Sequence, residues 1–96
     1  MEKKTGIELI AQERKRQIDE EGFTTQHDDQ WIGGELAMAA CCYAQEGSKS
    51  PEFVPFGFPW DKEWWKPTPE NRVRELVKAG ALIAAEIDRI QKQENL

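Results

Sequence analysis

Residues 21–44 read EGFTTQHDDQWIGGELAMAACCYA, and the division of this stretch decides the fold. Its second half repeats apolar residues at helical spacing: Ile32, Leu36, Ala39, Ala40 and Tyr43 share one stripe. Met38, Cys41 and Cys42 make most other faces apolar too, which predicts a central helix over about 30–46. Small residues at Gly33, Gly34, Ala37, Ala39, Ala40 and Ala44 let neighbouring helices approach closely. The first half, Phe23 to Gln30, is a polar loop holding the only histidine, His27, directly before Asp28 and Asp29. Either acid suits the cap of the helix that follows. Glu35 shares the inward stripe, and a carboxylate there needs an Arg or Lys, a metal or a bound ligand beside it. The stretch reads as a polar cluster at the mouth of an apolar helix.

Toward the amino terminus, Thr5-Gly6-Ile7-Glu8 fits a capping box, and Gly22 is a natural stop. A helix over about 5–21 follows, with a thin apolar stripe of Ile7, Ile10, Ala11, Arg14 and Ile18. The rest of it is charged, either as a solvated face or with Arg14 or Gln17 set at a polar site between helices. Toward the carboxyl terminus, residues 47–68 carry Pro51, Pro55, Pro59 and Pro67, three of the four tryptophans and three of the four phenylalanines. A connection of this length in a small domain is functional or disordered, and its aromatic content argues against disorder. Asp61 to Trp65 suits one helical turn, with Trp60, Trp64 and Trp65 packed back as a satellite core. The same rings beside Lys62 and Lys66 suit a base-stacking wall.

Thr68-Pro69-Glu70 opens the last helix as cap, first residue and first-turn acid, and that helix runs to about Gln91. Val73, Leu76, Val77, Gly80, Ile83, Ala84, Ile87 and Ile90 form its inward stripe, which Ala79, Leu82 and Ala85 widen. So broad an apolar surface needs cover on two sides, which predicts a homo-oligomer. The polar tail 91–96 is expected to fray. The expected architecture is all-α: a small three-helix antiparallel bundle, one domain over 1–96, with a Pro/Trp-rich loop between helices 2 and 3.

The totals set limits. Ninety-six residues suit one domain, which buries only about 60–65 % of its unfolded surface and gains from assembly. With a net charge of −5 and no basic block, duplex nucleic acid is a poor partner. No apolar run approaches the roughly 18 residues that span a membrane, and the start does not resemble a signal peptide, so a cytosolic protein is expected. Cys41 and Cys42 point about 100° apart on a helix and read as two buried free thiols. With one histidine and no second cysteine pair, a structural zinc site lacks its ligand set.

Asp28, Asp29 and Glu35, joined by Glu86 or Asp88, offer an oxygen-rich set of the kind that holds Mg²⁺ or Mn²⁺. A metal held there would clamp a triphosphate and activate water, with His27 as base or phosphate donor. Asp28 and Asp29 as plain helix caps are the competing reading. Nucleophilic catalysis has less support: no Ser lies near His27 in the chain, and an apolar helix raises a thiol's pKa. Gly33-Gly34 lacks the Lys-Ser/Thr of a phosphate loop.

Several strings together resemble a widespread family of small phage and prophage proteins. They are Glu13-Arg14-Lys15-Arg16-Gln17, Glu21-Gly22-Phe23-Thr24, His27-Asp28-Asp29, Gly34-Glu35-Leu36-Ala37 with Ala39-Ala40, and Tyr43-Ala44. Pro59-Trp60-Asp61, Trp64-Trp65-Lys66-Pro67 and the run Leu76 to Ile83 complete them. The first half also looks like the amino-terminal segment of phage dATP/dGTP diphosphohydrolases. Those are similar to MazG-like all-α pyrophosphohydrolases, which are oligomeric and Mg²⁺-dependent. MazG-like enzymes gather four acids from a Glu-x-x-Glu and a Glu-x-x-Asp; here Met38 follows Glu35 and Arg89 follows Glu86 at those spacings.

Three functions are consistent with this. The first is a non-catalytic, phage-encoded binder of a nucleotide or small phosphorylated ligand, acting against a host defence. Its ligand residues would be Arg14, Gln17, His27, Asp28, Asp29, Glu35, Trp60, Trp64, Trp65 and Lys66. The second is a Mg²⁺-dependent pyrophosphohydrolase with metal ligands Asp28, Asp29, Glu35 and Glu86. The third is a protein-interaction module using the Trp-rich loop.

Overall fold

A computed structural model describes residues 3–45, 50 and 52–94. Over these the protein is all-α, with α1 (Gly6–Glu21), a single-turn α2 (Thr25–Asp28), α3 (Glu35–Ala44) and α4 (Arg72–Glu94). A 3₁₀ turn over Lys62–Trp64 precedes α4. The expected end of the central helix at 46, loop residues 47–49 and 51, and the tail residues 95–96 lie outside the described residues.

The capping box at the start of α1 is present: Thr5 Oγ1 accepts the Glu8 N–H at 3.2 Å, and Glu8 accepts the Thr5 N–H at 2.8 Å. Gly22 ends the helix with a φ of 74°, the left-handed conformation that a residue without a Cβ adopts freely.

The expected central helix starts later, at Glu35, and the stretch before it, expected to be a loop, holds α2. Thr24, not an aspartate, caps α2 by accepting the His27 N–H at 3.1 Å. The chain then leaves helical geometry, and Gly34, at a φ of 86°, is the N-cap of α3. Ile32 falls in the break and is 72 % exposed instead of joining the core stripe. The last helix begins later than expected. Thr68 accepts the Asn71 N–H at 2.8 Å in a turn, and the Asn71 side chain accepts the Arg74 N–H at 3.1 Å, so Asn71 takes the capping role given to Thr68.

The organising helix is α4 rather than α3. α1, α2 and α3 each pack on α4. The protein measures 41 × 38 × 21 Å. The core joins Leu36, Ala39, Ala40, Cys42 and Tyr43 of α3 to Ala79, Leu82 and Ala85 of α4, with Trp65 beside them. Alanine facing alanine lets two helices lie close, since interaxial distance follows side-chain size at the contact.

That contact fixes the rotation of α4. Its larger aliphatics turn away, and Val73, Leu76, Ile83, Ile87 and Ile90 are exposed, against the inward stripe the periodicity predicts. Val77 is the member of that stripe that is buried. On the other flank, a Cβ at Gly80 would stand 2.5 Å from Ile10 Cδ1, so the missing side chain makes room for α1. Arg72 ties the start of α4 to the end of α3, donating to the carbonyls of Tyr43 (3.4 Å), Gln45 (2.9 Å) and Ala44. A cation there also complements the negative end of the α3 dipole. Of the two free cysteines, Cys42 is buried, and burial pushes its thiol pKa up; Cys41 is exposed, against the expectation of two buried thiols.

Candidate functional site

Helical spacing places Glu13, Arg14 and Gln17 on the face of α1 that meets the rest of the protein, and all three are buried. The polar alternative read from the sequence is the arrangement observed, while Ile7 of the thin apolar stripe is 83 % exposed. These residues form one wall of a cleft of about 560 Å³, a size ordinary for small-molecule sites. α2, α4 and the Trp-rich loop supply the other walls.

Glu13 is the hub of the cationic side. It accepts from Arg16 Nε at 2.9 Å, Arg16 Nη2 at 3.0 Å and Arg74 Nη1 at 2.7 Å. Burial alone would raise its pKa, but the hydrogen bonds from Arg16 and Arg74 hold the carboxyl below its usual value. Lys78 stands beside this cluster and donates to the Lys66 carbonyl at 2.7 Å. Burial pushes the Lys78 pKa down, and the Arg74 charge adds to the effect. Arg16, Arg74, Lys78 and Lys66 line the cleft with the acids Glu13 and Glu21, the latter 3.2 Å from Arg16, and the excess of cations over these two acids suits an anion.

The opposite side is aromatic. Phe23 stacks on His27 with ring centres 5.2 Å apart, Trp64 lies 6.5 Å from Phe23, and Trp31 lies 5.3 Å from Trp60. Tyr43 closes the floor, its hydroxyl accepting the Lys66 N–H at 3.1 Å and donating to the Trp64 carbonyl at 3.4 Å.

Between the two sides sit buried polar atoms. Asp28, 1 % exposed, has Oδ1 2.9 Å from His27 Nδ1, whose N–H donates while the carboxylate is ionised. Burial pushes the Asp28 carboxyl up, against the pull of His27 and of Arg14. Arg14 Nη1 donates to the Phe23 carbonyl at 2.8 Å. Its Nη2 and Nε stand 3.7 Å from Asp28 and 3.6 Å from Asp88, within ion-pair reach but beyond hydrogen-bond distance. Arg14 Nε and Nη2, Gln17 Oε1, Asp28 Oδ2 and Trp60 Nε1 are buried with no hydrogen-bond partner among the described residues. Burying such atoms unpaired costs on the order of 1–3 kcal/mol each, so a cluster of them calls for a reason.

Of the residues expected to bind ligand, the cleft brings together Arg14, Gln17, His27, Asp28, Trp60, Trp64 and Lys66. Three lie elsewhere. Trp65 is 3 % exposed in the core, its ring tilted 31° to that of Tyr43 with centres 4.8 Å apart, and its indole N–H donates to the Ser50 carbonyl at 3.0 Å. Asp29 pairs with Lys92 at 2.7 Å, and Glu35 accepts the Gly33 N–H at 2.7 Å. The partner that Glu35 needed is a backbone amide. The cleft also uses Glu13, Arg16, Phe23, Trp31, Tyr43, Arg74 and Lys78. Among these, Arg74 and Lys78 stand four apart, the spacing that puts two cations on one helix face.

The carboxylates proposed for a metal do not meet, and among the described residues no three His, Cys, Asp or Glu side chains form a metal-binding group. A resident cation occupies their neighbourhood instead. Arg89, 5 % exposed, donates to Glu86 at 2.6 and 3.2 Å. Those bonds, more than the lesser charges of Glu35 and Asp29, hold its pKa above the ordinary value. No helix among the described residues is long and apolar enough to cross a membrane. No family model, curated protein or solved structure matches the chain.

Proposed function

We propose that the chain binds a nucleotide or nucleotide-like phosphorylated ligand in the cleft and does not turn it over. The observation that supports this is one cavity lined by Arg14, Gln17, Asp28 and Trp60, each with a buried polar atom that has no hydrogen bond among the described residues. The two flanking sides set the ligand's class: the aromatic side stacks on a planar base, worth about 1–3 kcal/mol per base, and the Arg74–Lys78 corner takes phosphate. Arg89 and Lys92, paired with Glu86 and Asp29 at 2.6 and 2.7 Å, support binding without hydrolysis, because they offset two of the acids that would attract Mg²⁺. With the resemblance to phage and prophage proteins, the biological reading is sequestration of a nucleotide or nucleotide-derived signal. We further take the chain to act as a homo-oligomer.

Titration with a panel of linear and cyclic nucleotides, read by intrinsic tryptophan fluorescence, tests the binding. Quenching in the wild type that is lost in both Trp64→Ala and Arg74→Ala is the expected result. The same nucleotides incubated with Mg²⁺ at high protein concentration should release no pyrophosphate; turnover would make the protein an enzyme. The loop carries one feature that favours protein contact: Phe53 and Phe56 are 69 and 106 % exposed. A pull-down lost in the double variant Phe53→Ala, Phe56→Ala, with nucleotide quenching unchanged, would establish that second role.

A further inference from the structure

The outward row on α4 has a regular spacing. Val73, Leu76, Gly80, Ile83, Ile87 and Ile90 are separated by 3, 4, 3, 4 and 3 residues, the heptad seam of helices that pair with their own kind. No charged residue interrupts it, and Ile10 of α1 lies over Gly80, the one position without a side chain. Beside the row, Ile7, Ile10, Ala11, Ile18 and Ala84 line a shallow groove between α1 and α4, edged by Arg14, Lys15 and Asp19. A ridge and a groove adjacent on one surface are self-complementary, which is the requirement of a twofold interface.

The area and the charges fit a second copy. Ile7, Val73, Leu76, Ile83, Ile87 and Ile90 are 41 to 83 % exposed and leave on the order of 600 Å² of apolar surface, against about 800 Å² per partner in a standard interface. That is the upper end of the roughly 300–600 Å² that the largest patch on a monomer reaches. The row is also symmetric about the point between Ala81 and Leu82. Antiparallel apposition sets Val73 opposite Ile90 and Leu76 opposite Ile87. It also lays the amino-terminal end of α4, with Arg72, beside the partner's carboxyl-terminal end, where Glu86, Asp88 and Glu94 outnumber Arg89 and Lys92. Parallel apposition sets like charges and like dipole ends together.

We propose that this face binds a second copy of the chain in an antiparallel, twofold α4–α4 contact. The inference rests on the oligomeric part of the reading above and is independent of what the cleft holds. Sedimentation analysis of the full chain without nucleotide should give twice the 11.1 kDa chain mass. The double variant Ile83→Lys, Ile87→Lys should sediment as a folded monomer with unchanged helical circular dichroism. Ile32→Lys, at another exposed isoleucine, should remain a dimer. In a Cys41→Ser background, Val73→Cys mixed with Ile90→Cys should form an inter-chain disulfide that neither forms alone. A monomeric wild type at 100 μM, or a double variant that stays dimeric, overturns the interface. A Val73→Cys homodisulfide overturns the antiparallel orientation. Nucleotide quenching measured on the monomeric variant separates failure of the interface from failure of the cleft.

Discussion

Replacing Glu13 by glutamine keeps the volume of a side chain that is 2 % exposed and removes the charge that Arg16 and Arg74 share. Three guanidinium N–H groups then face an amide whose NH₂ cannot accept from them. Hydrogen bonds to a charged group contribute about 1.5–3 kcal/mol each, and breaking a buried pair costs about 3–5 kcal/mol. The arginines here are partly solvated, Arg16 at 36 % and Arg74 at 32 % side-chain exposure, which screens the loss. The expected destabilisation is therefore about 2–3 kcal/mol, or roughly a 10–20 °C fall in Tm for a domain of this size. Urea unfolding followed by circular dichroism measures it. The sign of the pH dependence is also fixed. Because the folded Glu13 pKa lies below its usual value of 4.5, its stabilisation is fully present above that pH and is lost as pH falls through the folded pKa. The gap between wild type and variant should be constant near neutrality and close in acid. A loss below about 0.5 kcal/mol, or a gap indifferent to acid, would refute the view that this carboxylate holds α1 to α4.

Adjacent tryptophans should behave oppositely. Trp65→Ala empties a core position and should cost about 3–5 kcal/mol in urea unfolding, whereas Trp64→Ala, at 48 % exposure, should cost under about 1 kcal/mol yet abolish nucleotide quenching. Arg89→Ala leaves Glu86 unpaired, with Glu35 and Asp29 nearby, and should lower stability by about 3 kcal/mol by the same assay.

The sequence carries the helices better than their faces. The Thr5–Glu8 box and Gly22 bound α1 because capping is local chemistry, settled within four residues. The break at 29–34 was harder to see, because Ile32 continues the spacing of Leu36 and Ala39 and only the left-handed Gly34 interrupts it. The rotation of α4 was not legible at all. Its large aliphatics dominate the periodicity, yet alanines make the contact with α3, and that choice depends on the shape of a neighbour. The same helix carries Arg74 and Lys78, so the cationic corner was hidden with it. In the cleft, Arg14, Gln17, His27 and Asp28 stood out as polar residues beside apolar runs. Glu35 misled because its partner is the Gly33 amide two residues back, a local bond that helical spacing does not reveal.

The most direct test of the account is thermal unfolding of the full chain across the nucleotide panel with EDTA present throughout. A ligand held by aromatic and guanidinium groups needs no metal, so saturation at about 100-fold over Kd should add about 2.7 kcal/mol and raise Tm by roughly 10 °C or more. That shift should disappear in Arg74→Ala. A panel in which no nucleotide raises Tm, or in which every shift requires Mg²⁺, would contradict the account.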